Sequence, residues 1–107
     1  MTYTKYKKSH SKALDLRIHF KKKMKYRFGL ILNRFELSSF MSVFKANATF
    51  VRLESNTKSW FYIKYLNRDI FILYDIPRGE FITAYTPRIM IESSASKNIP
   101  FDISQYI

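Results

Sequence analysis

Residues 60–87, WFYIKYLNRDIFILYDIPRGEFITAYTP, decide the fold. Residues 60–66 form a β-branched and aromatic run, which Asn67-Arg68 interrupts. Residues 69–75 form a second run, IPRGE is a turn, and residues 81–86 form a third run. Runs of this length and composition, divided by Asn, Pro and Gly, read as strands. Two short connections between three strands predict an antiparallel meander. Asp75, Pro77 and Gly79 fit the turn: Asp favours turns, Pro fixes φ and Gly supplies a permissive backbone.

Working back towards the N-terminus, residues 49–53 read as a first strand and 54–57 as its hairpin turn. Asn33-Arg34-Phe35-Glu36 has the form of a capping box, with Asn33 in the cap position. It opens a helix to about Ala46 with an apolar stripe of Leu37, Phe40, Met41 and Phe44. Ser11 reads as the cap of an earlier helix ending near Tyr26 or Arg27, where Gly29 stops it. Ala13, Leu16, Phe20 and Met24 make its buried stripe. The predicted class is α+β, with two N-terminal helices packed on a four-stranded antiparallel β-sheet. Phe20, Phe40, Phe44, Ile63 and Ile72 or Phe71 are the expected core. Beyond Pro87, Ile89–Ile91 read as a possible edge extension, residues 93–98 as a loop, and PFDISQYI as a tail that docks on the domain or on a partner.

The chain has 107 residues, which is one domain with a modest core. The expected division is a flexible basic arm over residues 1–11 and a single domain over 12–107. Its net charge is +11 and unevenly spread. Residues 1–30 hold ten Lys/Arg against Asp15 alone, and residues 31–107 hold nine basic and seven acidic groups. A basic segment on a nearly neutral body is the footprint of a polyanion, with nucleic acid ahead of an anionic membrane surface. No apolar run approaches the roughly 18 residues of a spanning helix. There is no secretory apolar core at the N-terminus, while a transit peptide stays open. Cysteine is absent, so disulfides and thiolate metal sites are ruled out. The expected location is the cytoplasm, with organelle and virion left open.

His19, Lys22, Lys23 and Tyr26, at i, i+3, i+4 and i+7, share one flank of the first helix. His19 is the candidate acid or base, because imidazole titrates near neutrality, and an ordinary surface histidine is the alternative. Lys12, Lys22, Lys23 and Arg27 are candidate RNA contacts, against a merely solvated face. Arg52 and Lys64 are isolated strand cations that either line an RNA-binding sheet or face water. Thr83 and Tyr85 are the remaining catalytic candidates, expected on one face of the last strand with Phe81. Trp60 reads as core, with an exposed stacking platform as the alternative. His10 and His19 have no partner carboxylate at ligand spacing, so neither a metal site nor a cofactor is expected.

His19, Arg27-Phe28-Gly29-Leu30, Tyr74-Asp75, Gly79, Thr83 and Pro87 together resemble a family of small phage and prophage proteins. That family in turn resembles the superfamily of barnase, the colicin ribonucleases, EndoU and RelE-type toxins. The resemblance covers roughly residues 17–88 and implies two helices followed by a four-stranded antiparallel sheet. It also implies metal-independent RNA cleavage by a toxin-like or phage-encoded ribonuclease. The Glu/His pair of barnase has no counterpart in these strands, whereas RelE-type toxins use Lys, Arg and Tyr, residue types that this chain could supply. The competing reading is a non-catalytic RNA-binding protein: a ribonucleoprotein, ribosome or phage structural component. The surroundings of His19 discriminate. A cleft shared with sheet cations favours the enzyme, and an open flank favours binding.

Overall fold

The computed structural model describes residues 2–107, with side chains from residue 12 onward. Two helices, α1 (Thr2–Phe28) and α2 (Arg34–Asn47), precede four strands. The strands are β1 (Thr49–Leu53), β2 (Lys58–Tyr65), β3 (Arg68–Asp75) and β4 (Glu80–Tyr85). A third helix, α3 (Pro87–Ser96), and a 3-10 turn at Ile103–Gln105 complete the chain. The sheet is an antiparallel meander in the order β1-β2-β3-β4. The α+β class and the two helices ahead of the sheet are therefore as expected. The expected flexible arm over residues 1–11 lies outside the residues whose side chains are described. Helix α1 runs through Ser11, so Ser11 does not open it.

Gly29 ends α1 at φ +68, with its amide donating to the Lys25 carbonyl at 3.0 Å. The capping box of α2 is complete. The Glu36 amide donates to Asn33 Oδ1 at 2.8 Å, and the Asn33 amide donates to Glu36 Oε1 at 2.9 Å. Hairpin β2–β3 turns at Leu66-Asn67, with Tyr65 opposite Arg68. Both turn residues have positive φ, the geometry that matches the sheet's twist. At the β3–β4 turn, Asp75 Oδ1 accepts from the Arg78 amide and Oδ2 from Arg78 Nη1, both at 3.1 Å.

The sheet carries a core on each face. One face packs Phe20 and Met24 of α1, and Phe40 and Phe44 of α2, on Ile63, Ile70, Ile72, Phe81 and Ala84. All the expected core side chains are buried. The other face buries Trp60, Phe71 and Met90 beneath Phe101, Ile103 and Tyr106. This second cover corrects the reading of the C-terminus. Ile89–Ile91 is not an edge strand but part of α3, which Thr86 caps by accepting from the Ile89 amide at 3.2 Å. Pro87 fits because the first helical turn needs no amide there. Part of the expected loop, up to Ser96, is helix, and the tail docks on the domain itself.

A second correction concerns β4. Leu73 pairs with Thr83 but Tyr74 pairs with Phe81, so Ile82 is an extra residue that flips the alternation. Phe81 therefore joins Ala84 under the helices. Thr83, opposite Leu73, and Tyr85 lie on the other face.

Candidate nucleic-acid interface

Helix α1 has three sides because its residues recur every 3.6 positions. Phe20 and Met24 are buried, with Ala13 and Leu16 half-buried beside them, as the sequence stripe requires. Lys12, His19, Lys22 and Tyr26 are exposed along one flank, and Lys23 is half-buried there. The expected clustering of imidazole, ammonium groups and phenol is thus present. Among the described residues, no ion pair engages Lys12, Lys22 or Lys23. Tyr26 is 76% exposed, with Lys25 Nζ 6.0 Å from its ring centre.

His19 stands on this open flank and lines neither the groove between α1 and α2 nor the hollow beside Arg52 and Phe101. Its imidazole is held below its ordinary value, first by partial desolvation and then by the charges of Lys23, Arg27 and Lys22. Every charge that perturbs it is a cation on its own helix. The imidazole is thus predominantly neutral at pH 7, and a nearby phosphate would favour its charged form.

Arg27 sits two turns further along, about 12 Å by helical rise. It differs from the lysines in being tied to the sheet. Its Nη1 donates to the Ala84 carbonyl at 2.9 Å, and its guanidinium lies 5.5 Å from the Tyr85 ring centre. Arg27 and Tyr85 are therefore brought together at the β4 edge. Tyr85 also packs on Trp60, ring centres 4.6 Å apart. Thr83 and Tyr85 belong to the face turned away from the helices, so they do not gather around His19. Trp60 is buried, and its indole donates to Glu54 Oε1 at 2.9 Å, which makes it core rather than a stacking platform.

Arg52 and Lys64 do not extend the α1 flank. Arg52 pairs across from Trp60 on the far face, 5.9 Å from the Phe101 ring centre, and its buried Nε and Nη1 have no protein acceptor. Lys64 is exposed opposite Asp69, whose carboxylate accepts from the Tyr62 hydroxyl. That bond and burial push Tyr62 up to about 12, burial contributing most.

Two features escaped the sequence reading. Arg27's anchoring on a strand carbonyl has no sequence signature, because it depends on where α1 meets β4. The other is a third side of α1, with Leu14, Arg17, Ile18 and Lys21 facing α2. Its signal was available: Leu14 and Ile18 form an i, i+4 apolar pair outside the core stripe. No helix among the described residues is long and apolar enough to cross a membrane. No family model, curated protein or solved structure matches the chain.

Proposed function

We propose that this protein is an RNA-binding module that holds the phosphate backbone against the cationic flank of α1. The supporting observation is that the flank is open and unpaired. Lys12, Lys22 and Lys23 have no carboxylate partner among the described residues, and although Asp15 lies one turn before His19 on this flank, the charges that shift the imidazole are all cations. A flank of this kind attracts polyanions by counterion release, independent of sequence. Tyr26, exposed beside Lys22 and Lys23, offers a ring for an unstacked base, a contact that single-stranded RNA allows.

Fluorescence anisotropy with a labelled single-stranded RNA, repeated over a range of KCl concentrations, tests the reading. If about six phosphates are neutralised, log affinity falls against log salt with a slope of about −4 to −5. Lys22→Ala/Lys23→Ala should flatten that slope by about 1.5 to 2, since each lysine accounts for about one phosphate. An unaltered slope in the double variant, or no RNA affinity at low salt, would overturn the proposal.

The lowered pKa of His19 supports a second reading, metal-independent cleavage with His19 as acid or base. The same RNA, incubated with protein in EDTA and end-mapped, separates the two. Fragments ending in 2′,3′-cyclic phosphate, lost by about 10²–10⁴-fold in His19→Ala, would establish the nuclease. Intact RNA bound with the salt dependence above leaves the binding module.

A further inference from the structure

The flank of α1 opposite the lysine-rich one forms a wall of a groove of about 560 Å³. Helix α2 and the turn at Gly79–Phe81 form the other sides. Leu14 and Ile18 are 46% and 44% exposed along it, and Leu37 and Met41 face them from α2. The core stripe of α1 does not use Leu14 or Ile18, so the fold itself does not account for two large apolar side chains at this spacing. The rim is cationic, made by Arg17, Lys21 and Arg34. Glu80 is the single carboxylate in the lining, and Arg17 neutralises it at 2.7 Å. Lys21 and Arg34 join no ion pair among the described residues.

We infer that this groove docks an acidic amphipathic segment of another protein, with apolar anchors on Leu14, Ile18, Leu37 and Met41 and carboxylates on Lys21 and Arg34. Charge complementarity selects this occupant. A second copy of the chain would bring another +11 to a cationic rim, at a cost in like-charge repulsion. Nucleic acid satisfies the rim but leaves the apolar floor wet, and the opposite flank of α1 already suits it better. An amphipathic helix laid in a groove meets both demands, with apolar side chains at i, i+3, i+4 and i+7. The groove and the lysine flank lie on different sides of α1, so the inference stands apart from RNA binding.

The probe is a synthetic helical peptide with Leu at i, i+3, i+4 and i+7 and Glu elsewhere. Two controls accompany it, one with Ser for every Leu and one with Lys for every Glu. Isothermal titration should give saturable binding of the Leu/Glu peptide to the full chain and little heat from either control. Ile18→Ser and Lys21→Glu should each weaken it at least about tenfold, the worth of one good anchor at an interface. Both sites are accessible, so the melting temperature is expected to hold. Chemical-shift changes at the Ile18 and Leu14 methyls of the wild type report the same contact without substitution. Binding of the Leu-free peptide with equal affinity would show mere charge attraction and overturn the inference. So would unmoved Ile18 and Leu14 methyls. Sedimentation showing a dimer that Ile18→Ser dissolves would assign the groove to a second copy instead.

Discussion

Leu66 is the residue whose identity fits its place least. It sits at φ +47 in the β2–β3 turn, 61% exposed, where an L side chain crowds its own backbone. Asn67, beside it at φ +64, is a residue that tolerates this region. Leu66→Gly should therefore stabilise the protein by roughly 0.5–1 kcal/mol, a balance of relieved strain against a more flexible unfolded chain. Thermal unfolding followed by circular dichroism checks this, and a lower melting temperature would contradict it. The sequence showed a turn here, but centred one residue later at Asn67-Arg68. A leucine gives no turn signal, and the strand register alone makes it a turn residue. Asn33 and Glu36 were legible for the opposite reason, because their chemistry is local and needs only four consecutive residues.

At the scale of elements, α3 shows what sequence patterning hides. The triplet Ile-Met-Ile suits a strand, and periodicity cannot decide over three positions. The decisive signals lay just upstream, in Thr86 as a cap and Pro87 at the first helical position. Met90 and Ser94, at i and i+4, are the buried side of α3. Met90 is fully buried against Trp60 and Phe71. Met90→Ala should cost about 2–5 kcal/mol and lower the denaturant midpoint accordingly. An unchanged midpoint would mean that α3 is not a structural cover. The need for that cover was itself written in β3. Ile70, Phe71, Ile72 and Leu73 show no polar alternation, as befits a strand buried on both faces.

At the scale of the whole molecule, charge and fold are segregated. The α1 flank collects the cations, while the far face of the sheet is closed by aromatic packing of Phe71, Phe101 and Tyr106. The flank was legible because it follows from helical spacing alone. The separation of His19 from Thr83 and Tyr85 was not, because it depends on the extra residue in β4. If the α1 flank holds RNA as proposed, the charge distribution makes that affinity pH-dependent. His19 is held below its ordinary value of 6.5 in the free protein, and phosphate contact favours its charged form. Binding therefore takes up a proton, and affinity should rise as pH falls from about 8 to about 5. His10 is the one other histidine, so the comparison is made in a His10→Ala background. There the rise should persist and should vanish on adding His19→Ala. A slope that survives both substitutions would remove His19 from the interface.

The bond from Arg27 to the Ala84 carbonyl has a consequence for how the chain behaves among copies of itself. A meander leaves two outer strands, each a template on which another chain can polymerise edge to edge. Strands this rich in Phe, Tyr and Ile are the kind that feed fibrillar stacking when an edge is free. Here one margin, β4, has α1 laid along it with a guanidinium seated on its backbone. The other, β1, is five residues long and distorted at Val51. The arginine near the end of the basic helix thus also occupies a backbone acceptor on the β4 margin that an incoming strand would otherwise use.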